Sequence, residues 1–406
     1  MIPFRRVVPS AYDGGWSRSY RALGRPDQFH AATLDAPQDG STSTAVVVFE
    51  TAQDTYDAPV NPPFGAIPQP HIDWAGDMGN NDLVNQPLVS VIVPAKDQAP
   101  FIRDSLTSLA RQFEDASVLE VVVVDDGSTD ATGELAAAFA SQLPGLKILR
   151  NESPAGVATA RNQGLDAASG RFIAFLDPDD WYAPGYLPKL TAEMEQLDVD
   201  FLRTDHIRHT NGTRSIHRAP QALRSTPLDP RDDIAPYNLS TMIDYPIVAF
   251  GIYDGRLKDS GMLRFLDGRQ TAEDRPWMWR LHLQCKSYAV SDQLGVIYRR
   301  GVPTSLTQIY DRRQLDFLPC FEEIFRLVAD DPEPGRFWPK AARQFLAIAC
   351  HHLNRSEGMP PDVLAALRIG IDRTFATLPS DVAVESLALL DPKRRALLAP
   401  ILRSHA

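Results

Sequence analysis

Past Pro87, short apolar runs alternate with stretches whose apolar positions recur every three or four residues. Leu88-Val89-Ser90-Val91-Ile92-Val93-Pro94 is the first run. A strand with one face in water alternates polar and apolar positions, so a nearly continuous run predicts a parallel strand covered on both faces. A helix follows, with Phe101, Ile102, Leu106, Leu109 and Phe113 near helical spacing. Leu119–Val124 is a second buried strand, ending in Asp125-Asp126-Gly127-Ser128. The pattern continues with a helix over Thr129–Gln142, a short strand at Lys147–Leu149, a helix over Gly156–Ala168 and a fourth strand at Phe172–Leu176. This alternation predicts an open α/β sheet of mostly parallel strands. Ligands of such sheets lie beyond the carboxyl ends of the strands.

After Pro184 the pattern predicts a helix, a strand near 199–203 and a less regular stretch to about 270. From about 311 the chain reads as helical, with three apolar stripes. These are Phe317, Phe321, Ile324, Phe325 and Val328; Trp338, Ala341, Phe345 and Ile348; and Leu364, Leu367, Ile371 and Phe375. Such stripes serve as core or as an interface, including that of a homo-oligomer. Residues 1–86 differ from the rest. They hold nine prolines and seven glycines, with one clear strand at Thr44–Glu50, and 57–86 reads as an extended linker. The expected organisation is an N-terminal extension (1–86), an α/β domain (87–308) and a helical C-terminal region (309–406).

Composition narrows the classes. The chain has 406 residues, 44% hydrophobic and 23% charged, enough to bury a large core. Its net charge of −11 argues against nucleic acid as a partner. Five arginines in the first 25 residues read as a solvated arm or an attraction to an anionic surface. Cys285, Cys320 and Cys350 are far apart and match no metal pattern, so they read as buried thiols in a reducing compartment. No run approaches the roughly 18 apolar residues of a membrane span, and no signal-like apolar core follows Arg5 and Arg6. A cytoplasmic location is expected, with peripheral association at the inner membrane face left open.

The strongest chemical signal is Leu176-Asp177-Pro178-Asp179-Asp180-Trp181, with three carboxylates in four residues after a strand. They repel one another unless a positive charge sits between them. A divalent metal holding a diphosphate supplies it, because hard cations take carboxylate and phosphate oxygens together. Taken alone, the segment also suits a helix cap or an acidic turn.

Four segments in order carry a family resemblance: Ser90–Pro94, Val123–Asp130, Gly156–Gly164 and Phe175–Asp180. Together they resemble the family 2 glycosyltransferases of the GT-A fold, strongly over 87–190 and weakly to about 308. The resemblance implies a Rossmann-like catalytic domain that moves a sugar, with inversion, from a nucleotide-sugar. The expected donor is a UDP-sugar, and the acceptor a glycan, wall polymer or lipid-linked hydroxyl. It implies Mn²⁺ or Mg²⁺ on Asp179 and Asp177, with Asp180 orienting the site, and donor contacts at Pro94, Ala95, Asp97, Asp125, Asp126, Arg161, Asn162 and Asp177, the last meeting the ribose or metal-bound water. Arg161 would meet the base or support an acidic residue.

Thr271–Trp277 resembles the family's Glu-Asp motif, which implies Asp274 as general base and Glu273 as its orienter. By its residues alone the segment reads as the acid-first start of a helix over 274–284. Tyr298–Thr307 resembles a segment in which Arg299, Arg300 or Ser305 could cover the diphosphate; an exposed basic strand end is the other reading. One departure is Ala95-Lys96-Asp97, where the family usually has x-Tyr-Asn, so the aromatic expected against the base is missing. A nucleotidyltransferase would want a glycine-rich loop after the first strand, and Pro94–Pro100 contains no glycine. A non-catalytic pseudo-transferase is the remaining rival, disfavoured by the retained acids.

Overall fold

The structure, a computed structural model, describes residues Ala58–Pro59, 86–302 and 309–402. The expected strand at 44–50, the arginines of the first 25 residues, nearly all of 57–86 and Ser305 lie outside the described residues.

Nine described strands form one sheet. Strand β1 (Ala58–Pro59) is separate and pairs antiparallel with β11 (Arg313–Gln314). The expected strands are present as β2 (Val89–Ala95), β3 (Leu119–Asp125), β4 (Gly145–Arg150) and β5 (Phe172–Phe175), all parallel in the order β4-β3-β2-β5. The sheet continues through β9 (Gly251–Asp254), β7 (Phe201–Thr210), β10 (Tyr288–Arg299) and β6 (Trp181–Tyr182), with β8 (Thr213–His217) paired to β7. Strand β9 runs antiparallel to both neighbours. Sequence periodicity missed β8 and β9, in the stretch read as irregular. The expected helix over 129–142 is regular only as α2 (Thr132–Ala137), where Asp130 accepts from the N–H and hydroxyl of Thr132.

The first strands are apolar throughout because both faces are covered. Val89, Val91 and Val93 join one cluster, which also takes in α1 (Ile102–Leu109) and α4 (Tyr186–Leu197). Ile92 joins the other, against α3 (Val157–Ala167). Helix α3 lies so close to β2 that a Cβ on Gly164 would stand 2.4 Å from Ile92 Cγ2. That contact fixes the helix carrying Arg161.

The second cluster runs on through α6 (Asp274–Gln284) into α7 (Phe317–Ala329), α8 (Pro334–Asn354) and α9 (Pro361–Phe375). The C-terminal stripes are therefore covered by this chain's own α6 and by one another. Trp279 Nε1 donates to Gln344 Oε1 at 2.9 Å, and Phe317 stacks on His352 at 4.5 Å. All three cysteines are buried free thiols. Among the described residues no helix is long and apolar enough to cross a membrane.

Candidate active site

A cavity of about 420 Å³ opens beyond the carboxyl ends of β2, β3 and β5, where an open α/β sheet places its ligands. Its floor is the chain leaving β2, from Pro94 to Gln98. Asp97 is in the left-handed region at φ +51°. Its carboxylate accepts from the Thr129 N–H at 2.7 Å and from Lys96 at 2.6 Å. Those bonds hold its pKa down at about 2, so it is an anion in any working range.

Strand β3 separates the two aspartates that the sequence could not rank. Successive side chains at a strand end point to opposite sides. Asp126 lines the cavity. Its Oδ1 accepts from Asn151 and the Ala155 N–H, each at 2.7 Å, and its Oδ2 from the Gly156 N–H at 2.9 Å. A carboxylate has about four acceptor positions, so one is left for a ligand. Asp125 does not line the cavity. It is fully buried, ion-paired with Arg150, its register partner on β4, and caps the Ser128 N–H. The donor role expected of Asp125 is thus corrected to a structural one. Gly127 makes the turn that follows them, with φ +67° and room for no Cβ beside Pro154.

Asn162 is corrected in the same way. One turn face of α3 presents Arg161 to the cavity, while Asn162 points to the loop behind. Asn162 accepts from the Phe265 N–H at 2.8 Å and donates to the Phe265 carbonyl and to Asp267.

The loop after β5 brings Asp177 and Asp179 into the cavity and turns Asp180 away from it. Asp180 is buried and accepts from the Arg299 N–H at 2.7 Å. Burial, then Asp179 and Asp177, push its pKa well up. Burial and the charge of Asp177 push Asp179 up to about 6. Among the described residues no three or more metal-binding side chains gather into a cluster. Asp177 and Asp179 do fit a divalent metal that shares its coordination with a diphosphate. Both are hard oxygen donors, and the raised pKa of Asp179 marks negative charge that Arg299 and the Arg161 pair on Asp177 offset only in part.

The opposite wall is Gln270–Asp274. Ala272 is held at φ +54°, a costly conformation for a residue with a Cβ, and it turns Glu273 and Asp274 inward at the start of α6. Asp274 is buried, and its Oδ1 has no hydrogen-bond partner among the described residues. Burial and neighbouring Glu273 push its pKa up, against the pull of Arg275 and Arg161. Arg161 joins the walls: it is paired with Glu273 and donates to Asp177 Oδ1 at 3.0 Å. Burial opposes its charge, but these two carboxylates raise its pKa.

The basic end of β10 does not cover the cavity. Tyr298 lines it; Arg299 and Arg300 do not. Arg299 packs over Trp181 at 4.6 Å and Phe101 at 5.0 Å, and donates to the Asp179 carbonyl at 2.8 Å. It braces the acidic loop from behind. Sequence reading missed Lys96, Gln270, Arg313 and the apolar pair Ile247 and Val248, all on the lining. Lys96 and Tyr298 lay inside the motifs quoted; Arg313 and Ile247 carried no sequence signal.

A mostly parallel sheet thus sets carboxylates from three strand ends opposite an acid pair across one cavity, as the expected sugar transferase requires. The comparisons agree. The sequence model of glycosyl transferase family 2 matches residues 90–252. The uncharacterized glycosyltransferase YibD of Escherichia coli is 30% identical over 296 residues, covering 69% of this chain and 82% of that protein. The uncharacterized glycosyltransferase EpsJ of Bacillus subtilis is 29% identical over 234 residues, 57% of this chain; the match spans 66% of EpsJ's length. Staphylococcus aureus TarS 1–349, solved with UDP-GlcNAc, superposes with a TM-score of 0.60 at 22% identity, over 78% of this chain and 89% of TarS 1–349. The chain belongs to glycosyl transferase family 2.

Proposed function

We propose that this protein transfers a sugar, with inversion, from a UDP-sugar to a hydroxyl of a glycan, wall polymer or lipid-linked acceptor. One observation carries the reading. A single cavity holds two acidic sets, Asp177 with Asp179 and Glu273 with Asp274, and buried Arg161 pairs with one member of each. Inverting transfer needs this separation, since the leaving diphosphate and the incoming hydroxyl lie on opposite faces of the sugar carbon. Asp126 and the Pro94–Asp97 floor, which line the cavity, would take the nucleoside, and the UDP-GlcNAc bound by TarS supports a uridine donor. Asp177 and Asp179 would hold Mn²⁺ or Mg²⁺, which when bound offsets charge developing on the diphosphate. Asp274 takes the acceptor hydroxyl's proton. Its raised pKa makes it a stronger base than an ordinary carboxylate, and its unpartnered Oδ1 leaves an acceptor position open. Arg161 pairs with Glu273 beside it.

A thermal-shift screen of UDP-, GDP-, CDP- and dTDP-sugars with Mn²⁺ tests the donor, because a ligand of the folded state alone raises the melting point. A UDP-sugar should shift it with Mn²⁺ and not with EDTA. A larger shift with another nucleotide would replace the donor assignment.

A further inference from the structure

Asp316 stands just before α7, where a carboxylate ordinarily caps the free N–H groups of its own helix. Among the described residues it makes no such cap. Both its oxygens turn outward instead. Oδ1 accepts from the Arg269 guanidinium at 2.8 Å, and Oδ2 from the backbone N–H of Gln270 at 3.0 Å. The Arg269–Asp316 pair is buried, each side chain 4% exposed. Asp316 itself is not on the cavity lining, but Gln270 is, and the lining runs on from there through Thr271 and Ala272 to Glu273 and Asp274. The chain entering α7 also reaches the cavity directly, at Arg313.

The same segment is held from a second side. The Arg269 carbonyl accepts from the Ala158 N–H at 3.2 Å, at the start of the helix that carries Arg161, and the Gly268 N–H donates to the Thr159 hydroxyl at 3.0 Å. Residues 268–270 are therefore bound between the first turn of α3 and the start of α7. Two residues further on, Ala272 sits at φ +54°. A residue with a Cβ keeps such a conformation only where its surroundings over-determine it. On the entry side of the wall these bonds are the surroundings that do so. Apolar packing alone lets two surfaces slide past each other. A carboxylate that accepts from a guanidinium with one oxygen and a backbone N–H with the other fixes direction as well as distance.

We propose that Asp316 is a positioning residue for the transfer reaction. Through Arg269 and the Gln270 N–H it fixes the Gln270–Asp274 wall, and with it the direction in which Asp274 meets the incoming hydroxyl. The helical C-terminal region then serves the chemistry as well as the packing. The catalytic consequence rests on the sugar-transfer reading; the fastening of the wall does not. Asp316 lies off the lining, so its loss should spare the donor side of the cavity.

Asp316→Asn keeps the shape but offers one acceptor oxygen to two donors. Full-length wild type and variant are compared in Mn²⁺-dependent, acceptor-free hydrolysis of UDP-GlcNAc, UDP-glucose and UDP-galactose, where water takes the acceptor's place before the same base. Calorimetric titration with UDP and Mn²⁺ and amide hydrogen exchange complete the comparison. The variant should lose about 10–10²-fold in kcat, the scale of a small misplacement of a reacting group. KM for the sugar donor and affinity for UDP should stay near wild type. Exchange should rise at 269–274 and stay unchanged in β2. Asp331→Asn is the comparator. Asp331 lies just past the other end of α7, off the cavity lining, and pairs with Arg231 at 2.6 Å. Its loss should lower the melting point and leave kcat and exchange at 269–274 alone. Equal losses of kcat in the two variants would make Asp316 a general stabiliser and overturn the proposal. Wild-type kcat, unchanged exchange at 269–274, or a loss of UDP affinity matching the loss of kcat in Asp316→Asn would overturn it too. If the single variant unfolds because Arg269 is left charged and unpaired, Asp316→Asn/Arg269→Gln leaves neither charge of the pair behind and decides by the same readouts; unfolding of both also overturns it. A wild type that neither binds UDP nor hydrolyses any of these sugars would sink the sugar-transfer reading, while exchange at 269–274 still decides whether Asp316 fastens the wall.

Discussion

The guanidinium of Arg161 stands 3.0 Å from Oδ1 of Asp177, and both lie on the wall of the same cavity. Its other amino group is paired with Glu273, 112 residues further on. A buried cation shared by two acids is costly to remove, because the acids are left uncompensated. Arg161→Gln should lose about 3–5 kcal/mol of stability, read by urea unfolding. It should also move the acid limb of kcat/KM to higher pH, since Arg161 works to lower the pKa of Asp274. Arg161→Lys keeps the charge and should leave that limb near its wild-type position. A limb unmoved in Arg161→Gln would mean that Asp274 is not the titrating group.

Asp179→Asn should abolish metal-dependent donor binding in calorimetric titration with UDP and Mn²⁺. It should also stabilise the metal-free protein near neutral pH. The sign follows from the pKa of about 6 in the folded state, above the ordinary 3.8. The folded state holds this proton more tightly, so stability from this group is present at low pH and falls as pH rises between about 4 and 6. The melting-point gain of the variant should therefore be present at pH 7.5 and absent at pH 3.5. Unchanged metal-dependent affinity would remove Asp179 from the metal site.

Asp274→Asn should slow transfer by about 10²–10⁴-fold with donor affinity little changed. Wild-type kcat should fall on the acid side, at a pH above the ordinary carboxylate range because burial and Glu273 raise this pKa. The variant should lack that limb. Near wild-type turnover would pass the role to Glu273.

Removing residues 309–406 should leave an aggregating or poorly packed remainder. Helices α7 to α9 share one core with Trp277, Trp279 and Leu281 of α6, and Asp316 bonds the Gln270 N–H of the cavity wall at 3.0 Å. Light scattering and near-ultraviolet circular dichroism check this. A soluble monomer with native side-chain signals would make the helical region an independent domain.

Much of the fold was legible because its causes are local. Strands β2, β3 and β5 are buried on both faces, so each reads as an apolar run without knowledge of its neighbours. The helix starting at Asp274 was readable from its acid-first start, and the three C-terminal stripes from their spacing. The β7–β8 hairpin was missed although Asn211-Gly212 is a strong turn signal; the basic residues flanking it hid the alternation. Strand β9 had no such signal. Gly251–Asp254 is four residues long and is a strand because β5 and β7 hydrogen-bond both its edges.

The sequence by itself determined which residue types are available for chemistry: the acids after β3 and β5, the Glu273-Asp274 pair and the arginine of α3. Tertiary structure alone decided which of them face one another. Asp125 and Asp126 are neighbours in the chain, but a strand sends adjacent side chains to opposite sides, so one pairs with Arg150 and the other lines the cavity. Arg161 and Asn162 are divided in the same way by the helix. What a cluster of charges can do depends on burial and on partners 16 to 112 residues away. Those distances are set by packing, where a side chain's direction and its loss of water are fixed together, and no local pattern of residues encodes them.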